Sequence, residues 1–333
     1  MPYDTKINAI FVDIKAGDCS VPVHRPCFYS AGVKISLFLC TFVLIIIITT
    51  MDQDNSQYEI RPNVLDYEKI SEMVPKLKGH QKLVDFALRL FSVDKVNWLH
   101  RHNYHTPGVP FTSGLLTDLN IKLRIDNQAV LDNLPEGAFI TVSNHPFGAL
   151  DGIILINVIG TRRPDFKVMV NMVLNHISAM RPNFIAVDAL ASDDPKKKAV
   201  SMQGIKSAIM QVRRGKPLGF FPAGAVSKIN GHLQLEDREW QPSIIRLIDQ
   251  LKVPVIPIFF HGSNSWWFNL LGKISWQLRT LRLPAEVFRK KNSTIHLSVG
   301  NPISVEEQQA HASSVEELGR FLKQKTYELR SWK

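Results

Sequence analysis

The chain has 333 residues, of which 45% are hydrophobic and 21% are charged, and this composition excludes a disordered or fibrous protein. Its formal net charge of +10 favours an anionic partner, either nucleic acid or an anionic membrane surface. Because the sequence carries no helix-turn-helix, RNA-recognition or zinc-finger signature, nucleic acid is not predicted as a partner.

The N-terminal region contains an apolar run from Ile35 to Met51, which is at the short limit for a membrane-spanning helix. Lys34 precedes the run and Asp52 follows it, so the positive-inside rule would place the rest of the chain outside the cytoplasm. All three cysteines precede residue 41, and a cysteine nucleophile is therefore not predicted in the rest of the chain.

Two or three helices are predicted between residues 64 and 105, and Gln81–Phe91 carries a helical stripe of apolar residues. Strands are predicted at Leu119–Ile125 and Ala138–Val142, and a helix opens with an acidic residue at Asp151–Val158. Strands and helices then alternate, which predicts an α/β fold with a mixed sheet flanked by helices and preceded by an N-terminal helical subdomain. The remaining predicted strands are Phe166–Val170, Phe184–Val187, Lys216–Phe220, Pro254–Phe260 and Thr294–Val299, and the remaining helices are Pro195–Arg214, Pro242–Leu251 and Val315–Leu329.

A histidine and a carboxylate lie in the turn that follows the second predicted strand, in the sequence SNHPFGALD of residues 143–151. A neutral imidazole accepts a proton from an alcohol near pH 7, and a carboxylate on its other ring nitrogen fixes the tautomer. His145 and Asp151 are therefore predicted to be a general base and its orienting group at the carboxyl end of a strand. The alternative is a structural histidine beside an aspartate that caps a helix.

Later blocks of the chain complete a pattern that resembles a known enzyme family. Asn-His followed by an aspartate, a Phe-Ile block, a Phe-Pro-x-Gly block and a Val-Pro-rich strand occur in the order typical of the glycerolipid acyltransferase superfamily, which includes the 1-acylglycerol-3-phosphate acyltransferases. The resemblance covers about half of the chain, and four ordered blocks are more specific than any single one. It implies the glycerolipid acyltransferase fold and acyl transfer to a hydroxyl group. The blocks are Asn144-His145 with Asp151, Asn183–Asp188, Phe221–Gly224 and Val253–Pro257.

The motifs depart from the family pattern in ways that bear on the acceptor. Five residues separate His145 from Asp151 where the family has four, and Gly148 can absorb the extra residue because glycine accepts unusual backbone angles. Val187 and Val226 stand where members acting on lysophosphatidic acid carry arginines. Arginine is the natural bidentate partner of a phosphate, so a phosphomonoester acceptor is disfavoured.

The His-Pro-Phe-Gly and Phe-Pro-Ala-Gly spellings, with Ala223 in place of the family glutamate, resemble the hemolysin-like bacterial branch of the superfamily. That branch includes the O-acyltransferases of ornithine and glycine lipid synthesis, and the resemblance implies a lyso-aminolipid acceptor that carries a carboxylate. The alternatives are an ordinary lysophospholipid acceptor such as lysophosphatidic acid and, in another class, a non-enzymic membrane-binding protein of hemolysin-like type.

The resemblance also implies the chemistry of the site. His145 would act as general base, Asp151 would orient it, and acyl-ACP or acyl-CoA would be the co-substrate, with no cofactor. No covalent acyl-enzyme is needed, and no Gly-x-Ser-x-Gly motif is present to form one. Backbone N–H groups near the Phe-Pro-Ala-Gly block could cradle the headgroup or the developing oxyanion. The candidate substrate-binding residues are Asn144, Phe221, Pro222, Ala223, Gly224, Ser227, Lys228 and Arg238.

A tryptophan-rich segment, Ser265–Trp276, is followed by Arg279 and Arg282. Tryptophans beside aliphatic and cationic residues are typical of the headgroup boundary of a membrane, and a core segment with internally packed tryptophans is the alternative. The three histidines His100, His102 and His105 fit no standard metal-ligand spacing, so no metal site is predicted.

These observations divide the chain into residues 1–50, an apolar extension; 51–133, a mostly helical region; and 134–333, the catalytic domain. Cytoplasmic acyl donors conflict with an exported active site, so we expect translation to start at Met51 and the enzyme to be peripheral on the cytoplasmic face of the cell membrane. If residues 1–50 belong to the protein, a single N-terminal span is the alternative.

Overall fold

The computed structural model describes residues 60–187, 195–230 and 234–331, with the side chains of 195–200 excepted. The apolar run Ile35–Met51 and the expected start at Met51 lie outside the described residues, and the three-part division of the chain stays a prediction. Among the described residues, no helix is both long and apolar enough to cross a bilayer.

Among the described residues, four α-helices precede the first strand. Their apolar stripes pack on one another, and a small core of buried residues such as Ile70, Val84 and Leu88 holds the first three together. The fourth helix instead places Phe111 and Leu115 in the main core. These helices are α1 (Tyr67–Met73), α2 (Gln81–Leu90), α3 (Val93–Asn103) and α4 (Val109–Asp118).

A seven-stranded mixed sheet forms the centre of the fold, in the order β1-β9-β8-β2-β5-β3-β4. All neighbouring strands are parallel except β8 and β9, which pair antiparallel. The predicted mixed α/β sheet is thus confirmed. The strands are β1 (Lys122–Asp126), β2 (Ile140–Ser143), β3 (Lys167–Asn171), β4 (Phe184–Val187), β5 (Leu218–Phe220), β8 (Val255–His261) and β9 (Thr294–Val299), and the two-stranded antiparallel hairpin β6 (Lys228–Ile229) and β7 (Leu235–Glu236) lies outside the sheet.

Helices cover both faces of the sheet because successive strand side chains point to opposite faces. Ile256 and Ile258 of β8 join one core with Ile154, whereas Val255 joins the other core with Ile248 and Leu322. The remaining helices are α5 (Gln128–Asp132), α6 (Ala149–Gly160), α7 (Pro195–Arg213), α8 (Pro242–Leu251), α9 (Trp266–Ile274), α10 (Trp276–Leu281), α11 (Leu283–Arg289), α12 (Val305–Ala310) and α13 (Val315–Glu328).

Candidate active site

The turn between β2 and α6 lies at the carboxyl end of a central parallel strand. β2 is fully buried between β5 and β8, and α6 is buried along most of its length. Gly148 is the residue before α6 and has φ 81°, a left-handed conformation that glycine adopts without strain. A side chain there would also meet Leu283 Cδ2 at 2.8 Å. The positive φ agrees with the expectation that this glycine absorbs the extra residue of the motif.

His145 and Asp151 are in direct contact across this turn. Nδ1 of His145 lies 3.0 Å from Oδ2 of Asp151. The angle at the Nδ1–H group is too far from linear for a regular hydrogen bond to Oδ2. A small rotation of the imidazole ring would align the two groups. Because the carboxylate occupies Nδ1, the Nε2 atom is the ring nitrogen left to meet a substrate. The ring of His145 also packs on that of Phe221, with centroids 4.3 Å apart.

Asp151 is completely buried, and burial raises the pKa of its carboxyl group. The contact with His145 and two backbone donors oppose that rise. The N–H groups of Phe147 and Gly148 donate to Oδ2 at 2.8 and 2.9 Å. The carboxylate therefore closes the turn and caps α6 at the same time as it meets His145, so the catalytic and capping interpretations of this residue are compatible.

A second buried carboxylate holds the other side of the turn. Oδ1 of Asp237 accepts the backbone N–H of His145 at 3.2 Å and the hydroxyl of Ser227 at 2.5 Å. The backbone N–H of Ser227 donates to the His145 carbonyl at 2.8 Å. Burial raises the pKa of Asp237, although its hydrogen bonds and the nearby His145 oppose the rise. Asp237 and Ser227 together fix the backbone that carries the imidazole.

The imidazole opens into a cavity of about 400 Å³ whose walls are mostly apolar. A neighbouring cavity of about 240 Å³ has an almost wholly apolar lining. The two share wall residues, so they lie side by side next to the turn that carries His145. The shared residues are Ala149, Ile153, Leu174, Ile177 and Met180.

A family model described as acyltransferase matches residues 68–332, which is most of the chain. The chain belongs to the acyltransferase family. It is therefore an acyl-transferring enzyme, and the non-enzymic alternative is wrong.

Two relatives are similar over most of their length. A lyso-glycine lipid O-acyltransferase of Bacteroides thetaiotaomicron is 29% identical over 233 residues, covering 66% of this chain and 80% of that protein. Another protein of the same name, from Phocaeicola vulgatus, is 27% identical over 258 residues, covering 72% of this chain and 86% of that protein. The crystal structure of the 1-acyl-sn-glycerophosphate (LPA) acyltransferase PlsC from Thermotoga maritima matches with a TM-score of 0.42 and 15% identity, over 90% of this chain and 99% of that one.

The predicted substrate-binding residues of this acyltransferase occupy three kinds of position in the structure. Phe221 and Gly224 line the larger cavity with His145. Asn144 and Ser227 are buried behind the turn and do not line the cavity. The Asn144 amide donates to the Phe260 carbonyl, and the Ser227 hydroxyl donates to the Asp237 carboxylate. Pro222 and Ala223 are likewise buried and outside the cavity lining, and Lys228 and Arg238 are exposed.

The Phe-Pro-Ala-Gly block offers fewer backbone N–H groups to a substrate than the motif indicates. Pro222 has no N–H, and the Gly224 N–H donates to the Phe221 carbonyl at 2.9 Å within the turn. Gly224 has φ 61°, and a side chain there would meet Gln241 Nε2 at 2.1 Å. This block therefore brings backbone and the ring of Phe221 close to His145.

Sequence reasoning missed Asp237, and it named Arg279 as part of a lipid-facing segment but not as a residue of the site. Arg279 of α10 donates from Nη2 to the Val226 carbonyl at 2.9 Å, and Val226 itself lies against Gly148. Arg238 donates from Nε to the Ala223 carbonyl at 2.6 Å. Burial and the nearby Arg238 lower the pKa of Arg279. The signal that pointed to Arg279 was its place after the tryptophan-rich segment, which indicated lipid contact.

Proposed function

We propose that this enzyme is a membrane-associated O-acyltransferase that moves a fatty acyl group from an acyl thioester to the free hydroxyl of a lyso-aminolipid of the glycine or ornithine type. The observation that carries the proposal is the contact between His145 and buried Asp151 at the edge of a mostly apolar cavity. The names of the two relatives favour the glycine-type acceptor.

The proposed reaction uses one proton carrier. Nε2 of His145 accepts the proton of the acceptor hydroxyl as its oxygen attacks the thioester carbonyl. The C–S bond then breaks, the leaving thiolate takes the proton from the imidazolium, and the ester product forms. Asp151 stabilises the transient imidazolium through Nδ1, while its own hydrogen bonds keep it in place.

The two adjacent cavities suit hydrocarbon chains. The reacting lipid and the donor each bring an acyl chain, and burial of a chain stabilises its complex by about 0.8 kcal/mol for each methylene group. The larger cavity contains His145, so it holds the reacting ends. The smaller cavity has no comparable polar lining and accommodates the distal part of a chain.

Arg279 and Arg238 are proposed to bind the acceptor carboxylate. In the part of the chain that the structure describes, neither guanidinium pairs with a carboxylate; each donates to a backbone carbonyl of the 223–226 turn. Two guanidinium groups held near each other favour an anion between them. Val187 lines the cavity at the position where the family carries an arginine. The two arginines proposed to bind the carboxylate therefore lie elsewhere in the fold.

The membrane-facing surface is proposed to be α9 and the start of α10. Trp266, Trp267, Ile274 and Trp276 have exposed fractions of 63, 56, 69 and 53%. The same segment reaches the active-site turn through Arg279 and Leu283. Its lipid-facing side chains and the site that consumes the lipid thus belong to one continuous segment.

Purified enzyme supplied with acyl-ACP or acyl-CoA and a panel of lyso-lipids tests the proposal. We expect transfer to lyso-glycine or lyso-ornithine lipid and loss of transfer in His145→Ala, with His105→Ala as the matched control because His105 is an exposed histidine outside the site. Arg279→Gln should raise KM for a carboxylate acceptor more than it lowers kcat. A preference for lysophosphatidic acid, or full activity in His145→Ala, would contradict the proposal.

A further inference from the structure

Three polar side chains from three neighbouring strands converge on one face of the sheet. Asp126 ends β1, His296 lies on β9, and His261 ends β8. His261 pairs directly with His296 across the antiparallel ladder, and Asp126 pairs with Ser298 across the parallel one. Residues 296 and 298 point to the same face because strand side chains alternate. The sheet register therefore assembles the group from residues far apart in the sequence.

The atoms of this cluster are close enough to share one ligand. Nε2 of His296 lies 2.5 Å from Oδ2 of Asp126, and Nε2 of His261 lies 2.8 Å from the Ser298 hydroxyl. That hydroxyl donates to the same Asp126 oxygen at 2.8 Å. The two imidazole rings are stacked, with centroids 3.9 Å apart and planes 9° apart. His296 thus contacts the carboxylate directly, and His261 reaches it through the Ser298 hydroxyl.

We propose that Asp126, His261 and His296 bind a divalent transition-metal ion of the zinc class. One ligand atom from each residue lies within 4.8 Å of the others. In a tetrahedral site with bonds of about 2.0–2.1 Å, ligand atoms are about 3.3 Å apart, so shifts of about 1 Å bring the three into place. A set of two imidazole nitrogens and one carboxylate oxygen suits zinc, whereas magnesium and calcium prefer oxygen ligands alone.

The surroundings also suit such an ion. The side chains of His296 and Asp126 are about one-fifth exposed, so an ion can enter and water can complete its coordination. The Ser298 hydroxyl orients the carboxylate as an outer-shell group does in metal sites. All three ligands project from paired strands, which hold geometry better than loops. A plain hydrogen-bond network is the competing explanation, and Zn²⁺ binding distinguishes the two.

The ion would fasten the strands behind the catalytic turn. Gly262 directly follows His261, and a side chain there would meet the Phe147 ring at 3.0 Å. The bound metal would therefore tie β1 and β9 to the end of β8 that supports the turn. This role is structural and does not depend on the identity of the acyl acceptor.

Zinc binding by the full-length chain tests the proposal. Every sample carries serine in place of Cys19, Cys27 and Cys40, so that thiolates cannot bind the metal. After treatment with EDTA, equilibrium dialysis against Zn²⁺ should give one bound equivalent, a higher Tm and, with Co²⁺, the visible absorption of a tetrahedral site.

Matched variants locate the ion. Asp126→Asn and His261→Ala should weaken binding by more than the roughly 10–100-fold typical of outer-shell changes, and Ser298→Ala should fall within that range. His105→Ala, an exposed histidine outside the cluster, should bind as the parent does. If circular dichroism shows that His261→Ala does not fold, the near-isosteric variant Asp126→Asn decides whether the cluster binds the ion. A folded parent that binds no Zn²⁺, or unchanged binding in Asp126→Asn, overturns the proposal.

Discussion

Asn144 binds both backbone groups of Phe260 with the two ends of its side-chain amide. Nδ2 donates to the Phe260 carbonyl at 2.9 Å, and Oδ1 accepts the Phe260 N–H at 2.7 Å. The residue before His145 thus continues the pairing of β2 with β8 by one side chain after the strand ends. This clamp places His145 relative to the sheet, so the asparagine of the motif is a positioning residue.

Asn144→Ala should destabilise the fold and lower kcat. The Phe260 N–H and carbonyl would lose their partner in a buried place, and each such loss costs about 1–3 kcal/mol. Urea unfolding should show a drop of about 2 kcal/mol or more, and acyl transfer should fall with KM for the acceptor little changed. Asn133→Ala is the control because Asn133 is exposed and donates to one helix carbonyl. Equal stability of the two variants would contradict the clamp.

Gly148→Ala should be costly although it adds one methyl group. The left-handed φ costs a non-glycine residue about 1–2 kcal/mol, and the new Cβ would press on Leu283 at 2.8 Å. We expect a loss of about 1–3 kcal/mol in unfolding free energy together with lower activity. Gly137→Ala is the matched control, since a side chain there meets nothing within 4 Å. A Gly148→Ala enzyme as active and stable as Gly137→Ala would refute this.

The stability conferred by Asp237 should depend on pH with a definite sign. Burial raises its pKa in the folded protein, so the folded state holds this proton to a higher pH than the unfolded chain does. The contribution of Asp237 to stability is complete below its unfolded pKa and is lost as pH rises through the folded pKa. Compared with Asp237→Asn, the wild-type unfolding free energy should therefore decline as pH rises above the unfolded pKa of about 4. Parallel urea titrations at several pH values measure it, and a flat or rising difference would contradict the direction.

Replacing Trp266 and Trp267 together by alanine should weaken binding to anionic vesicles by at least about tenfold, because two large apolar groups leave the lipid boundary. Vesicle sedimentation measures the affinity. Turnover of a short-chain acceptor in solution should persist, which separates docking from catalysis. Met210→Ala provides the control, since Met210 is exposed on α7, outside the tryptophan segment. Unchanged vesicle binding in the double variant would remove this segment from the membrane-facing surface.

Val173→Phe should shift chain-length preference. Val173 lines only the smaller apolar cavity, and a phenyl ring would occupy part of its roughly 240 Å³. Longer acyl groups should lose kcat/KM while shorter ones keep it, as judged by competition between acyl donors and between acceptors of different length. Val173→Ala is the opposite control and should tolerate long chains. An equal loss at every length would indicate simple damage to the fold.

Most of the sheet and the contact between His145 and Asp151 were predictable because their signals are local. Buried strands such as Thr294–Val299 match the structure residue for residue, and the His-x5-Asp turn places both partners in one loop. Helix α4 was not predicted. It begins with proline near its first turn and contains threonine, serine and glycine, and burial of Phe111 and Leu115 stabilises it in place of intrinsic propensity.

Other parts depend on register that no local pattern contains. Asp237 reaches His145 because the β6–β7 hairpin turns the chain back toward the active-site turn. His261 and His296 meet because two strands pair antiparallel in an otherwise parallel neighbourhood. Asp126, His261 and His296 lie far apart in the sequence with no standard metal-ligand spacing, so they were not predicted as a cluster.

The order of the sheet also dictates when the enzyme can finish folding. Within residues 60–187, 195–230 and 234–331, β1 pairs with β9 alone, so Lys122 waits for Thr294 to emerge from the ribosome before its strand has a neighbour in this part of the chain. Until then β8 presents an unpaired edge, and contacts between such distant segments form slowly. β9 thus governs maturation of a sheet whose His145 turn is synthesised near the middle of the chain. A nascent chain stalled before β9 would expose an unpaired strand edge that is prone to aggregation.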